Sequence, residues 1–223
     1  MGRVVIVAGT DTEVGKTFVC AALATRLVQQ GFSTLAVKPV ECGVSGEVRD
    51  DEDGAILASA TSQASPKEAL QRLKAPLAPP DAADLERVVL EAGRWIGAIR
   101  GWQRVHDIVL VEGVGGLMSP LTWNESALTM AQRLDARVLL VASDRLGTLN
   151  HTLLCLHALT THDVPVAGVV FSAPAESDRS TGRNASALAR LSGIRRIVSI
   201  PGMDTWQSAA PIMDAVIPWV LDP

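Results

Sequence analysis

Runs of apolar residues rich in valine and isoleucine recur along the chain, and helix-like segments follow most of them. Continuous apolar strands are typical of a parallel sheet that is covered on both faces, because neither face can then be polar. Strands that alternate with helices predict an α/β fold with a doubly wound, mainly parallel sheet and helices on both faces. The predicted strands are residues 4–8, 34–38, 108–112, 137–142 and 166–171, with a sixth candidate at residues 195–200.

Helices and loops are predicted between these strands. The helices are predicted over residues 16–30, up to about residue 60, and over residues 84–99. Residues 43–53 are crowded with acids and predict a loop. Residues 75–80 (APLAPP) also predict a loop, because each proline restricts its own φ and the residue before it. No repeat or linker interrupts the pattern, so we expect one domain over residues 1–223.

Composition narrows the classes of partner. The 223 residues carry a formal net charge of −4, whereas nucleic-acid-binding proteins are normally basic. No apolar run approaches the roughly 20 residues that a membrane span needs, and the first predicted strand leaves no room for a signal peptide. Cys20, Cys42 and Cys155 are widely spaced, which favours neither a disulfide framework nor a zinc site. We therefore expect a cytoplasmic protein that binds neither nucleic acid nor membrane.

The stretch GTDTEVGKT, residues 9–17, lies between the first predicted strand and the first helix. A Gly-Lys-Thr sequence in that setting predicts a phosphate-binding loop, in which Lys16 pairs with the outer phosphates and Thr17 can ligate Mg²⁺. The usual loop has four residues between its two glycines, whereas five separate Gly9 from Gly15. The buried strand before it and the apolar helix after it favour a nucleotide site over a simple turn.

Polar residues follow other predicted strands, at the edge where ligands of open α/β sheets bind. Lys38 ends the second strand, where a lysine can stabilise charge that develops in phosphoryl transfer. Glu112 ends the third and precedes a glycine-rich turn, where a carboxylate can support Mg²⁺. One acid of residues 50–53 is a further candidate ligand. The predicted helix start at residues 146–151 is a candidate site for an anion such as a carboxylate.

Four motifs resemble those of the dethiobiotin synthetase family. They are GTDTEVGKT, KPVECG (residues 38–43), LVEGVGG (residues 110–116) and LGTLNHT (residues 146–152). Their order and spacing match the family over essentially the whole chain, and the longer phosphate loop is itself a family feature. The resemblance implies a P-loop NTPase type of fold and an ATP- and Mg²⁺-dependent ligase of biotin biosynthesis.

The reaction that the resemblance implies closes a ring on 7,8-diaminopelargonic acid (7,8-diaminononanoate). One amine takes up CO₂ as a carbamate, ATP converts the carbamate into a carbamic-phosphoric anhydride, and the second amine attacks. Dethiobiotin, ADP and phosphate are the products. The family works as a homodimer.

The resemblance also implies roles for individual residues. Lys38 matches the residue usually named as catalytic, with Lys16 and Thr12 beside it. The implied metal ligands are Thr17, Asp53 and Glu112. The implied nucleotide contacts are Glu13, Val14, Gly15, Lys16, Thr17, Phe18, Asp53, Glu112, Ser172, Pro201, Gly202 and Met203. The implied substrate contacts are Thr12, Lys38, Cys42, Gly113, Val114, Gly115 and Gly116, with Gly147, Thr148 and Asn150 holding the far carboxylate across the dimer interface.

Three positions depart from the common family pattern. Cys42 stands where many members have serine or threonine near the substrate. Asp81 replaces a common histidine in a proline-rich substrate loop. Ser172 stands where many members have an asparagine that reads adenine, and a hydroxyl cannot make that paired contact. CTP and GTP are therefore candidate co-substrates beside ATP.

Other protein classes share parts of this pattern. A regulatory P-loop switch ATPase of the septum-positioning or partition type is the main alternative. Such proteins typically carry a second lysine early in the loop, where this chain has Thr10, Asp11 and Thr12. They also often end in a basic amphipathic helix, whereas this chain ends IPWVLDP. The second alternative is an amidotransferase-type ligase of cobalamin synthesis, which would need a further glutaminase domain.

Overall fold

The computed structural model describes residues 1–222, and its strands and helices alternate along the chain. The strands are β1 (Arg3–Gly9), β2 (Thr34–Val37), β3 (Val40–Cys42), β4 (Gln71–Leu73), β5 (Ile108–Gly116), β6 (Pro120–Thr122), β7 (Glu125–Ser126), β8 (Arg137–Ser143), β9 (Val166–Ser172) and β10 (Ile197–Ile200). The helices are α1 (Lys16–Gln29), α2 (Asp53–Thr61), α3 (Pro79–Glu86), α4 (Ala92–Trp102), α5 (Ala127–Leu134), α6 (Thr148–Thr161), α7 (Asn184–Ser192), α8 (Trp206–Ala209) and α9 (Ile217–Leu221). A 3₁₀ helix, Ala210–Ala215, joins the last two.

Six strands form the central sheet in the order β10-β9-β8-β1-β5-β2. Every neighbouring pair in this sheet is parallel, so the carboxyl ends of all six strands meet at one edge. The six predicted strands are therefore confirmed, with bounds that shift by up to four residues. The largest shift is in β5, which continues through the predicted glycine-rich turn to Gly116.

Both faces of the sheet are covered, which explains the continuous apolar strands. Along β1, Val5 and Val7 join one hydrophobic cluster with α1, α2 and the carboxyl-terminal helices. Val4 and Ile6 join a second cluster with α4, α5, α6 and α7 on the opposite face. Because alternate side chains of a strand point to opposite faces, a strand that is buried twice must be apolar throughout. The predicted doubly wound α/β fold is confirmed.

The predicted helix over residues 84–99 is wrong. The structure has two helices there, because α3 ends at Glu86 and its C-cap residue, Arg87, adopts the left-handed conformation with φ 56°. The predicted loop over residues 75–80 is also wrong in part, since Pro79 and Pro80 form the first turn of α3. Proline is tolerated in a first turn because its missing N–H would have no helical partner there.

Two small sheets and the carboxyl-terminal helices were not predicted. β3 pairs in parallel with β4, and β6 pairs antiparallel with β7. These strands have only two or three residues, which is too short for a hydrophobic period to show in the sequence. β3 matters for the site because it follows directly on β2 at the carboxyl edge of the main sheet.

None of the helices within residues 1–222 has the length and the apolar character needed to cross a bilayer.

The substitution Gly168→Ala should destabilise the protein, because β9 has no space for a methyl group at this position. A Cβ atom there would lie 2.4 Å from a ring atom of Trp219 and 2.9 Å from the carbonyl oxygen of Arg196. We expect urea denaturation to give a free energy of unfolding lower by about 1–3 kcal/mol, as for other overpacked cores.

Gly97→Ala is the matched control for this prediction. Gly97 lies inside α4, and its Cβ atom would meet no heavy atom within 4 Å. Because alanine is the better helix former, we expect stability to rise by about 1 kcal/mol. Equal effects of the two substitutions would contradict the packing argument.

Candidate active site

The segment between β1 and α1 wraps around the start of the helix. Gly15 is the N-cap residue of α1 with φ 85° and ψ 25°, a left-handed conformation that favours glycine. A Cβ atom there would lie 2.9 Å from Oγ of Ser172. The Ser172 hydroxyl donates a 2.5 Å hydrogen bond to the carbonyl of Val14 and so ties the loop to β9. The free N–H groups at this helix start favour an anion such as phosphate.

Lys16 is the first residue of α1, and its side chain folds back over the loop. Its Nζ donates a 3.0 Å hydrogen bond to the carbonyl oxygen of Asp11. Burial, and then the nearby charge of Lys38, lowers the pKa of the Lys16 ammonium from its ordinary value. The charges of Glu112, Asp53 and Asp11 offset only part of this lowering of the pKa, so an anion added at the helix start would stabilise the Lys16 ammonium further.

Four side chains from four different elements converge beside the loop. The Lys38 Nζ lies 2.6 Å from Asp53 Oδ2 and 2.5 Å from Glu112 Oε1. Oγ1 of Thr17 lies 2.8 Å from Asp53 Oδ1 and 2.8 Å from Glu112 Oε1. Lys38 follows β2, Asp53 begins α2, Glu112 belongs to β5 and Thr17 belongs to α1. The parallel sheet and its helices therefore bring these side chains together.

This cluster holds more acceptors than its own protons can satisfy. The Thr17 hydroxyl has one proton, yet two carboxylate oxygens lie within hydrogen-bond distance of it. The second oxygen of Glu112, Oε2, is buried and has no hydrogen-bond partner. Carboxylate oxygens and the lone pairs of a hydroxyl oxygen are the donors that a hard cation such as Mg²⁺ prefers. The residues present therefore fit the metal that the sequence predicted.

Burial and the neighbouring charges act in opposite directions on the pKa values of the cluster. Glu112 is 0% and Lys38 4% exposed. Burial alone would lower the pKa of the Lys38 ammonium, but the charges of Glu112 and Asp53 outweigh it and raise that pKa. Burial raises the pKa of Glu112, and Lys38 offsets only part of that effect. Burial would also raise the pKa of Asp53, but the contact with Lys38 outweighs it and lowers that pKa.

The structure distinguishes among the acids of residues 50–53. Asp53 is the residue of this run that reaches Thr17 and Lys38. Asp50 and Asp51 are exposed, and Asp51 forms an ion pair with an arginine on its own loop. The side chain of Glu52 is turned away, towards Arg72 of β4.

The cluster opens into a cleft of about 810 Å³ at the carboxyl edge of the sheet. Twelve residues predicted from the sequence line it: Thr12, Glu13, Gly15, Lys16, Thr17, Phe18, Lys38, Cys42, Asp53, Glu112, Val114 and Gly115. Six further residues complete the lining: Val40, Glu41, Ile56, Pro76, Leu77 and Trp206.

A second cavity of about 310 Å³ adjoins this cleft. Ser172, Pro201, Gly202 and Met203 line it. Glu13, Gly15 and Phe18 border both cavities, so the two are continuous around the phosphate loop. The predicted nucleotide contacts thus form one connected surface, with Val14 buried beneath the loop.

Five predicted substrate contacts lie outside the main cleft. Gly113 is buried, and a Cβ atom there would lie 3.2 Å from Cβ of Ala127. Gly116 borders a separate groove beside α6. The other three, Gly147, Thr148 and Asn150, stand at the start of α6, away from the cleft of their own chain.

Glu41 and Trp206 line the main cleft but were not predicted. Glu41 lies inside the KPVECG motif, and its acidic side chain beside Lys38 is the feature of the sequence that could have indicated a role at the site. Trp206 is an isolated aromatic residue near the end of the chain, and no pattern around it points to a ligand site. Its indole Nε1 is buried without a hydrogen-bond partner.

Cys42 lines the cleft with its thiol uncharged. Burial, and then the charge of Glu86, raises the pKa of this thiol to about 11. A reactive cysteine needs a lowered pKa, so Cys42 contributes a wall rather than a nucleophile.

Solved structures of P-loop ATPases are similar in fold. A ParA family ATPase from Chlorobium tepidum TLS matches with a TM-score of 0.60 and 14% identity, covering 100% of both chains. The Pyrococcus furiosus cell division ATPase MinD matches with a TM-score of 0.59 and 19% identity, covering 98% of this chain and 89% of that one. At such identities the likeness supports the predicted P-loop NTPase type of fold alone.

Sequence comparisons identify the family. A family model described as an AAA domain matches residues 3–210. The ATP-dependent dethiobiotin synthetase BioD of Anaeromyxobacter dehalogenans (strain 2CP-C) is 38% identical over 203 residues, 89% of this chain and 90% of the relative. The enzyme of the same name from Mycobacteroides abscessus is 38% identical over 216 residues, 96% of this chain and 91% of the relative. The chain, with its converging lysine, threonine and carboxylates, therefore belongs to the dethiobiotin synthetase family of enzymes.

Proposed function

We propose that this protein closes the ureido ring of dethiobiotin from 7,8-diaminopelargonic acid, CO₂ and ATP. The observation that carries the proposal is the convergence of Lys16, Thr17, Lys38, Asp53 and Glu112 at one cleft. That set supplies two cations for phosphate oxygens and three oxygen donors for Mg²⁺. The names of the relatives support the substrate assignment.

The proposed chemistry has three steps. An amine attacks CO₂, forms a C–N bond and loses a proton to give a carbamate. A carbamate oxygen then attacks the γ-phosphorus of ATP, the bond to the bridging oxygen breaks, and ADP leaves. The second amine attacks the carbonyl carbon of the resulting anhydride, loses a proton, and expels inorganic phosphate as the ring closes.

Lys38 and Lys16 would neutralise the negative charge that develops on the carbamate and phosphate oxygens during phosphoryl transfer. Both ammonium groups are buried, and fixed charges act more strongly there than in water. Lys38 already lies between two carboxylates, which keep it protonated. We propose that it orients the carbamate oxygen for attack, while Lys16 binds the transferred phosphoryl group and Thr12 lines the amine side of the cleft.

Thr17, Asp53 and Glu112 would hold Mg²⁺. Mg²⁺ binds through one or two carboxylates and completes its shell with water and substrate phosphates. When bound, it would neutralise charge on the β- and γ-phosphates. The unpartnered Oε2 of Glu112 and the shared Thr17 hydroxyl support this assignment. Within residues 1–222 no group of three histidine, cysteine or acidic side chains is placed to bind a metal ion. The two carboxylates and Thr17 would therefore share the ion with oxygens of the bound nucleotide.

The base of the nucleotide would occupy the cavity beside Ser172, Pro201, Gly202 and Met203. Because the Ser172 hydroxyl donates to the carbonyl of Val14, its proton is not offered to a base. Selection among ATP, CTP and GTP would then depend on backbone groups and on the shape of the cavity. ATP is the nucleotide in the names of the relatives, and CTP and GTP remain candidate co-substrates.

A second copy of the chain would complete the substrate site. Gly147, Thr148 and Asn150 stand outside the cleft of their own chain, and exposed apolar side chains precede them and follow them along α6. Leu146, Leu154 and Met118 are all exposed, and a groove of about 390 Å³ runs between Met118 and α6. Contiguous exposed apolar surface is typical of an interface. We propose that a homodimer covers this surface and brings the α6 start to the partner's cleft.

The whole chain, residues 1–223, would then form one domain of a cytoplasmic enzyme. The six-stranded sheet supports a single domain, because the proposed groups stand at the carboxyl edge of this one sheet. A switch ATPase would share the fold, but the relatives with 38% identity are named as dethiobiotin synthetases.

The proposal predicts that phosphate release requires the diamine. The assay contains Mg²⁺, bicarbonate, diaminopelargonate and, in turn, ATP, CTP or GTP, and mass spectrometry identifies the product. We expect a cyclic urea and no release above background without the diamine. Release that is indifferent to the diamine would instead favour a switch ATPase.

Lys38→Ala should lower kcat by at least about 100-fold, the typical loss when one charge-stabilising donor is removed. Nucleotide affinity, measured by calorimetry, should stay within a few-fold, because Lys16 and the loop N–H groups are unchanged. The exposed Lys67→Ala is the control and should retain full activity. Turnover within about tenfold of wild type, roughly 1.4 kcal/mol, would remove Lys38 from the catalytic set.

Leu154→Glu should dissociate the proposed homodimer, because it places a charge on its apolar surface. We expect sedimentation to show a dimer for the wild type and a monomer for the variant, with a raised KM for the diamine. Leu191→Glu is the matched control, since Leu191 on α7 is 62% exposed and Leu154 60%. A wild-type monomer, or two variants that behave alike, would contradict this surface assignment.

A further inference from the structure

Glu41 forms two hydrogen bonds with the start of α2. The N–H of Asp53 donates to its Oε1 at 2.7 Å, and the N–H of Gly54 donates to its Oε2 at 3.0 Å. The N-cap residue of this helix, Glu52, makes no side-chain capping bond and instead pairs with Arg72. A carboxylate from β3 therefore binds free N–H groups at the helix start, where the helix dipole favours a negative charge.

The Glu41 carboxylate is committed to these contacts. Glu41 is only 8% exposed, although it borders the main cleft. Hydrogen bonds from N–H groups to a carboxylate are shorter and about twice as strong as neutral ones. The backbone of Asp53 is thus held from one side, while its carboxylate reaches Thr17 and Lys38 on the other.

A second chain segment, around Ala69, also contacts the start of α2. A Cβ atom on Gly54 would lie 2.2 Å from the backbone nitrogen of Ala69, so the two backbones are in close contact. The next residue, Leu70, donates its N–H to the carbonyl of Lys38 at 2.9 Å. Lys38, Glu41 and the start of α2 therefore belong to one hydrogen-bonded frame.

We propose that Glu41 is a positioning residue, which holds the Asp53 carboxylate at the distance needed to complete the metal site with Thr17 and Glu112. The inference rests on the proposed function, because Asp53 is a metal ligand only there. Both oxygens of the Glu41 carboxylate accept hydrogen bonds from the backbone of α2. Glu41 acts through these two backbone N–H groups, much as outer-shell partners orient metal ligands elsewhere.

The test measures binding of Mn²⁺, as a spectroscopic substitute for Mg²⁺, to the full-length protein with ADP. Electron paramagnetic resonance reports free Mn²⁺ for the wild type and for Glu41→Gln, Glu41→Asp, Glu52→Gln and Asp53→Asn. Glutamine presents an NH₂ group to one of the two N–H donors, and aspartate is too short to span both. Circular dichroism checks that each variant is folded.

We expect both Glu41 variants to raise the Kd for Mn²⁺ about tenfold, the lower end of losses seen for outer-shell partners. kcat should fall by a similar factor, while KM for the diamine stays within about twofold. Glu52→Gln is the matched control, because Glu52 is a buried acid at the same helix start that binds Arg72 instead. It should lower the melting temperature and leave the Kd for Mn²⁺ unchanged.

The other outcomes separate the two proposals. Wild-type Mn²⁺ binding in both folded Glu41 variants, with weak binding in Asp53→Asn, would overturn the role of Glu41 and leave the metal site intact. Unchanged binding in Asp53→Asn would overturn the metal site and this inference with it. An equal loss in Glu52→Gln, or loss of folding in both Glu41 variants, would make Glu41 a structural residue only.

Discussion

A buried ammonium group between two carboxylates determines how the carboxyl edge of the sheet is arranged. Lys38 follows β2, Glu112 belongs to the neighbouring strand β5, and Asp53 begins α2, which packs against β2. Removing one partner from a buried ion pair typically costs about 3–5 kcal/mol, because the other charge is left without compensation. The ends of β2 and β5 must therefore stay in register for the buried charges of Lys38 and Glu112 to remain paired.

The strand order distributes the parts of the site along this edge. The phosphate loop follows β1 near the centre of the sheet. On one side lie β5 and β2 with the charged cluster, and on the other lie β8 and β9 with Ser172 and the second cavity. An extended ligand laid along the edge would place its phosphates at the loop and its two ends in different surroundings. Ligands of open α/β sheets bind outside the carboxyl ends of the strands.

The cluster contains both acceptors and a lysine that its own residues satisfy only in part, so charged ligands would bind there favourably. Glu112 has a buried carboxylate oxygen without a hydrogen-bond partner, and Thr17 has one proton for two carboxylate oxygens, whereas Lys16 has lost hydration by burial and gains only partial compensation. Buried polar groups are normally paired, and those that are not mark strain, chemistry or a missing ion. A cation beside the carboxylates and an anion beside Lys16 would satisfy both deficits together, which is the combination that a metal-bound nucleotide provides.

The sequence by itself determined the features that depend on local pattern. Six apolar runs predicted the six strands, because strands buried on both faces cannot include polar residues. The Gly-Lys-Thr motif after the first of them predicted the loop, and Lys38 and Glu112 were found because parallel strands end at a common edge. Only the tertiary structure decided features that depend on distant contacts. It distinguished Asp53 from Asp50 and Asp51 through Lys38, and it recruited Glu41 through a short strand that has no hydrophobic period. It also divided the predicted helix over residues 84–99 and left the α6 start outside the cleft. A local pattern records which face of an element is buried, whereas the meeting of two residues far apart in the chain depends on how all the elements pack.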